Sequence, residues 1–229
     1  MSGNLSVQHG LLWLLRLLMK LLLRVEVTHL ERIPPAGPLL IIINHTSVLE
    51  PALVVGALPR LAIPIGKQEA FDLFIIGPLL KLYGAIPVRR GEADLSAIKA
   101  ALQILANGEV VVLAPEGTRS RTGQLLPGKD GAALIAQRSR AVVVPVGVSG
   151  ARYAWSHWQK LRRAPVRLAV GEPFRLRVLP DCRTAPRPEV AAMTREMMYR
   201  LAAQLPAEYR GVYGNLAEAT EAFLVPASA

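Results

Sequence analysis

The sequence predicts a single α/β domain, a mostly parallel or mixed sheet flanked by helices, with one strongly apolar helix ahead of it. Three observations predict this. Short apolar runs alternate along the chain with stretches of helical periodicity. Two of the runs, Leu39–Ile43 (LLIII) and Val110–Ala114 (VVVLA), are unbroken, as strands buried on both faces are. The length of 229 residues suits one sizeable core.

Taken in order, the first element is the run Leu11–Leu23 (LLWLLRLLMKLLL), apolar except for Arg16 and Lys20. As a helix it would be about 20 Å long at ~1.5 Å per residue, short of a hydrocarbon core of ~30 Å. Arg16, Lys20 and Arg24 recur at i, i+4 and i+8 and are expected to line one face. That pattern suits a helix lying in a bilayer interface, with Leu and Trp13 in the acyl region and the cations at phosphates. The competing reading is a helix packed on the protein's own core or on a second subunit. No Lys or Arg precedes the run, so it does not read as a secretory signal. Residues 1–24 are therefore expected to be a membrane-associating helix and 25–229 the α/β domain.

Beyond Leu39–Ile43, strands are expected at Ala85–Val88, Val110–Ala114, Val142–Val148 and Val166–Val170. Helices are expected at Pro51–Ala57, Phe71–Tyr83, Leu95–Ala106 and Gly131–Arg138. Phe71–Tyr83, with its Gly77-Pro78 break, reads as core, with lining of the acyl path as the alternative. The helix at Leu95 has Glu92 and Asp94 ahead of it and Asn107-Gly108 at its end. Arg183–Pro188 reads as a connector to a closing helix, Glu189–Leu205.

Composition narrows the partners. The formal charge is +10, from 27 Lys and Arg against 17 Asp and Glu, which favours polyanionic partners or substrates. Nucleic acid is disfavoured, because the cations are dispersed and only 5% of residues are aromatic. Cys182 is the single cysteine, which excludes an intrachain disulfide and a Cys-based metal site.

In α/β sheets ligands collect at the carboxyl ends of strands, and unusual residues follow three of the expected strands. In Asn44-His45-Thr46-Ser47-Val48-Leu49-Glu50-Pro51, His45 is the residue type usually chosen to take a proton from a hydroxyl at neutral pH, and Glu50 is placed to reach back and fix its tautomer. The same residues also read as a capping box, Ser47-x-x-Glu50. In Pro115-Glu116-Gly117-Thr118-Arg119-Ser120, Gly117 lets backbone N–H groups approach an anion and Arg119 offers a bidentate fork. A charged surface turn has the same composition. In Gly84-Ala85-Ile86-Pro87-Val88-Arg89-Arg90-Gly91, the two Arg would grip a phosphate or stand solvated.

In this order, and with Val144-Pro145-Val146 behind them, the segments resemble the glycerolipid acyltransferase family, which includes 1-acylglycerol-3-phosphate and glycerol-3-phosphate acyltransferases. The resemblance spans about residues 39 to 148. It implies direct acyl transfer, without a covalent acyl-enzyme, from acyl-CoA or acyl-carrier protein to the free hydroxyl of a lysophospholipid. The foremost acceptor is 1-acylglycerol-3-phosphate, giving phosphatidic acid. It implies His45 as general base oriented by Glu50, and Arg90, Glu116, Gly117, Thr118 and Arg119 as acceptor-binding residues. It implies no metal, no cofactor beyond the acyl donor, and a location on a phospholipid membrane, at the cytoplasmic face of the cell membrane. The alternatives are another lyso-lipid acceptor, or a non-catalytic lipid- or phosphate-binding homologue.

Two positions depart from the family pattern. Glu50 stands where Asp is usual, and the extra methylene moves the carboxylate by about a bond length, a shift to which catalytic geometry is sensitive. A backbone adjustment that keeps the dyad, a shifted acceptor preference and a weakened enzyme are the three open outcomes. Arg89 occupies a position that is often acidic in the family.

Overall fold

The computed structural model describes residues 5–88, 95–178 and 187–227. Helix α1 (Leu5–Leu22) runs directly into strand β1 (Leu23–Thr28). Then come β2 (Leu39–Ile43), α2 (Glu50–Ala57), β3 (Ala62–Lys67), α3 (Gln68–Phe71), α4 (Ile76–Tyr83), β4 (Ile86–Val88), α5 (Leu95–Ala106) and β5 (Val110–Leu113). The second half holds α6 (Gly131–Ser139), β6 (Val142–Ser149), α7 (Ala154–Trp158), β7 (Ala164–Val170), β8 (Phe174–Leu176), α8 (Arg187–Ala202) and β9 (Leu224–Pro226).

The strands form one sheet in the order β1-β7-β6-β2-β5-β3-β4, with β8 beside β6 and β9 beside β8. From β6 to β4 the pairings are all parallel. β7 runs antiparallel to β6 and carries β1 parallel to itself, so the sheet is mixed. The unbroken apolar runs take the central places: all five residues of β2 and all four of β5 are buried, which is what cover on both faces requires. β7 alternates buried and exposed residues along Pro165–Ala169, as a strand with one wetted face does.

Helices α5, α6 and α8 pack in one group, and α1, α2 and α4 in another. Gly56 lets α1 and α2 close together, since a Cβ there would sit 2.3 Å from the Met19 sulfur. Two expectations fail in this region. Arg24 belongs to β1 rather than to the helix, and Arg16, although exposed, is tied to α2, its guanidinium donating to the carbonyls of Gly56 at 3.0 Å and Leu58 at 2.8 Å. There is therefore no three-cation stripe on α1. The carbonyls at the end of α2, left without helix partners, accept from the guanidinium.

The helix expected over Phe71–Tyr83 is broken in two. Gly77 sits so close to the Phe71 carbonyl that a Cβ would lie 2.1 Å from its oxygen, and residues 72–75 turn the chain between α3 and α4. This segment is not core either: Phe71, Gly77 and Tyr83 are buried, while Leu73, Phe74, Ile75, Ile76, Leu79 and Leu82 are exposed.

Candidate active site

β2, β5 and β3 lie side by side in parallel, so their carboxyl ends open on one edge of the sheet. β2 stops at Ile43, and Asn44 takes over the pairing with a side chain. Its Nδ2 donates to the Val148 carbonyl at 2.9 Å, and its Oδ1 accepts from the Val148 N–H at 2.7 Å. This fully buried amide ties the end of β2 to β6 and fixes where the next residue emerges.

That residue is His45. Its Nδ1 lies 3.1 Å from Glu50 Oε2, with the imidazole 22% exposed and the carboxylate fully buried. A carboxylate oxygen only accepts, so Nδ1 carries the hydrogen and Nε2 keeps its lone pair. Glu50 is held in turn by three further donors: the N–H groups of Thr46 at 2.7 Å and Ser47 at 2.9 Å, and the Thr46 hydroxyl at 2.5 Å. The Ser47 N–H supplies the return bond of the expected capping box, but Ser47 does not cap the helix: α2 begins at Glu50 with Leu49 as its N-cap and no side-chain cap, and the Ser47 hydroxyl accepts from the Leu49 N–H at 3.3 Å. The longer Glu side chain is accommodated because residues 46–49 fold back over it before α2 begins.

The backbone of His45 is clamped by the second segment. Its N–H donates to Glu116 Oε1 at 2.7 Å, and its carbonyl accepts from the Ser120 N–H at 2.7 Å. Glu116 Oε2 accepts from the Leu126 N–H at 2.8 Å. Both Glu116 oxygens thus serve backbone donors, and the side chain is only 1% exposed. The carboxyl, expected among the acceptor-binding residues, forms a strut that binds the loop after β5 to the residue after β2. Burial pushes it up to about 7, against the lowering effect of the Leu126 and His45 donors.

Gly117 follows with φ +62° and its N–H bonded to the Ala114 carbonyl. A Cβ at this position would lie 2.9 Å from Lys129 Cδ and 3.2 Å from Lys129 Nζ. Glycine is needed for the left-handed turn, and its bare backbone is the surface across which Lys129 lies. Thr118 is half-buried, while Arg119 and Lys129 are exposed. Among the described residues no carboxylate forms an ion pair with either cation. Arg90 and its neighbour Arg89 lie outside the described residues, as does Cys182.

The structure therefore brings His45, Glu50 and the 116–120 loop together. Asn44, Thr46 and Lys129 also lie at the site without having been singled out from the sequence, while Ser120, expected as a hydroxyl donor, contributes its backbone N–H to the His45 carbonyl. Thr46 and Asn44 sat inside the recognised octapeptide. Lys129 had no local signal: it is held beside the loop by its own N–H, which donates to the Pro115 carbonyl at 2.9 Å.

Residues 24–149, more than half of the chain, match the family described as Acyltransferase. Among curated proteins, the chain is 33% identical over 151 residues to 1-acyl-sn-glycerol-3-phosphate acyltransferase of Bacillus subtilis, covering 66% of this chain and 73% of that protein. It is 32% identical over 165 residues to the mouse 1-acyl-sn-glycerol-3-phosphate acyltransferase alpha, covering 71% of this chain and 56% of the relative. The fold resembles the crystal structure of the 1-acyl-sn-glycerophosphate acyltransferase PlsC from Thermotoga maritima, with a TM-score of 0.60 at 24% identity, over 86% of this chain and 80% of that one. The chain belongs to the acyltransferase family and is an enzyme similar to 1-acylglycerol-3-phosphate O-acyltransferases.

Proposed function

We propose that the chain transfers a fatty acyl group from an acyl thioester, acyl-CoA or acyl-carrier protein, to the free hydroxyl of 1-acylglycerol-3-phosphate, giving phosphatidic acid. The observation that carries this reading is the 3.1 Å contact between His45 Nδ1 and the buried Glu50 carboxylate, which leaves Nε2 as a base beside an unpaired cationic loop. His45 Nε2 takes the proton of the acceptor hydroxyl, and Glu50 stabilises the imidazolium. The acceptor oxygen attacks the thioester carbonyl, the C–O bond forms and the C–S bond breaks. The departing thiolate recovers the proton from His45. No cofactor beyond the donor enters this scheme.

Arg119 and Lys129 are the cations proposed to hold the acceptor phosphate, as charge-assisted donors freely available at the loop. Arg90 is proposed for the same task on the family resemblance, as is Thr118 as a hydroxyl donor. Glu116 and Gly117 shape the loop and do not touch the acceptor.

The enzyme is proposed to work on a phospholipid membrane, at the cytoplasmic face of the cell membrane. α1 is long and apolar enough to cross a bilayer by length and composition, but Gln8, Leu12 and Met19 face inward and Arg16 is fastened to α2. Those contacts favour a helix that lies in the interface, with Trp13, Leu14, Leu17 and Leu21 towards lipid. The test is transfer of labelled acyl groups to a panel of lyso-lipids. His45→Ala is expected to cut turnover by about a hundredfold or more while the fold survives. Near-normal transfer by that variant would remove His45 from the mechanism.

A further inference from the structure

The turn between α3 and α4 is the most exposed apolar segment outside α1. Phe74 is 95% exposed, and Leu73, Ile75 and Ile76 beside it are also open, four consecutive apolar side chains in solvent. Leu79 and Leu82 continue the exposed row along α4. A run of this kind costs a water-soluble protein solubility unless something covers it. The backbone is built to present it, since the close approach of Gly77 to Phe71 holds the turn outward and the Phe71 side chain is buried beneath it.

We infer that residues 73–76 are a second membrane-inserting element, separate from α1, whose occupant is the acyl region of an anionic phospholipid leaflet. This rests on the reading of the enzyme as acting on a membrane. Three observations support it. First, α1 packs on α4, and Gln8 Nε2 donates to the Tyr83 carbonyl at 2.7 Å, so the two exposed apolar rows belong to helices in contact. Second, the charge suits the leaflet: α1 contains no acidic residue, and a hollow of about 270 Å³ at its carboxyl end is lined by Arg16, Lys20 and Arg163 with no acid among its lining residues. Third, the shape is a protruding turn rather than a groove. Such a turn enters fluid lipid more readily than it mates with a copy of itself.

The placement has a consequence for catalysis. α3 starts where β3 ends, and β3 is separated from β2 only by β5, so the turn leaves the sheet on the edge that carries His45. At ~4.8 Å between strands this is a lateral step of about 10 Å. Inserting the turn brings the dyad to the level where the hydroxyl and thioester of lipid-borne substrates lie.

The test uses the full chain with Cys182→Ser, so that one introduced cysteine carries an environment-sensitive nitrobenzoxadiazole label. Labels are placed at Phe74→Cys and, separately, at Leu17→Cys on α1. With vesicles of phosphatidylglycerol and phosphatidylcholine, emission from position 74 is expected to shift to the blue and rise several-fold, and to stay unshifted with phosphatidylcholine alone. A shift at 17 without one at 74 overturns the proposal while leaving a membrane enzyme. No shift at either position means the membrane reading itself has failed. A shift at 74 without vesicles also overturns it, as a contact between copies if it follows protein concentration, or as an acyl-chain path if it follows added acyl thioester. In the unlabelled chain, Phe74→Asp with Ile75→Asp is expected to lower the affinity for anionic vesicles at least about tenfold. Transfer to a short-chain, monomeric acceptor should be unchanged, and its loss would place the turn in the catalytic machinery instead.

Discussion

The Glu116 carboxylate accepts the backbone N–H of His45 at 2.7 Å, and this one bond joins the two segments that carry the site. Positions 45 and 116 are far apart in sequence, and each stands just beyond the end of a central parallel strand. With Ser120 closing on the His45 carbonyl, the imidazole is set by a loop that also presents Arg119. The imidazole and the cations of the loop are thereby fixed relative to each other, a form of preorganisation that can position reacting atoms.

The strut has a pH signature. Its pKa rises from an ordinary 4.5 to about 7 in the fold because it is buried. Between those values the folded protein holds a proton that the unfolded chain has released. Stability from this group is therefore complete below about pH 4.5 and is lost as pH rises towards 7, by a few kcal/mol in all. Glu116→Gln lacks that proton equilibrium. Its melting temperature should be lower throughout, because a neutral amide offers one acceptor for two backbone donors. The gap to the native protein should narrow from pH 5 to pH 7.5, as thermal unfolding across that range will read. A constant gap would show that the buried carboxyl does not titrate in this window.

Glu50 meets four donors, and its removal strands them. Glu50→Ala should cost roughly 1–3 kcal/mol for each buried N–H or O–H left without a partner. It should lower kcat by about a hundredfold or more, since Nδ1 loses the acceptor that fixes the tautomer. Thr46→Val separates the two effects. It removes one hydroxyl bond but leaves the dyad, and should lower the melting point while kcat stays within about threefold. Equal losses of kcat in both variants would mean that the cage, not the dyad, limits turnover.

The parts of this molecule that were legible in the sequence are those in which neighbouring residues carry the signal. β2 and β5 are unbroken apolar runs, β6 carries five Val that outweigh its Pro145 and Gly147, and Leu95–Ala106 is a helix over the very span its periodicity marks. The His45–Glu50 contact lies within one turn and could be read from spacing. β1 was hidden because Leu23 and Arg24 extend an apolar helix pattern, and β3 because Pro64 and Gly66 interrupt it. The bonds of Arg16 to the Gly56 and Leu58 carbonyls depend on where α2 ends, and the role of Glu116 depends on the meeting of two strand ends. Such long-range relations leave no local trace. The turn at 72–75 departs from the expected core because apolar composition alone does not tell a covered side chain from an exposed one.

Lys129 lies across Gly117, and its ammonium has no acidic partner in an ion pair among the described residues. If it grips the acceptor phosphate with Arg119, Lys129→Ala and Arg119→Ala should each raise the acceptor KM about tenfold, as loss of one charge-assisted hydrogen bond does, with kcat within about twofold. The donor KM should not move. Gly117→Ala should reproduce and exceed the Lys129 effect, because its Cβ is strained at φ +62° and displaces the lysine stem. Steady-state kinetics with each substrate varied in turn will read this. A Lys129 effect confined to the donor would move the residue to the thioester side.

Arg16 and Lys20 look alike in the sequence, both cations inside one apolar run, yet the structure gives them different work. The Arg16 fork spans two carbonyls at the end of α2, and a lysine cannot bridge both. Arg16→Lys and Arg16→Ala should each cost about 1–3 kcal/mol, or several degrees of melting temperature in a chain of this size. Lys20 is exposed on the rim of the basic hollow. Lys20→Ala should leave the melting point within about a degree, and weaken binding to anionic vesicles in a salt-dependent way. Thermal unfolding and vesicle sedimentation on the two variants give opposite patterns if α1 is fastened to the domain through one cation and meets lipid with the other. A shared pattern, both variants stable and both released from vesicles, would mean that α1 detaches from α2 at the membrane and uses Arg16 there as well.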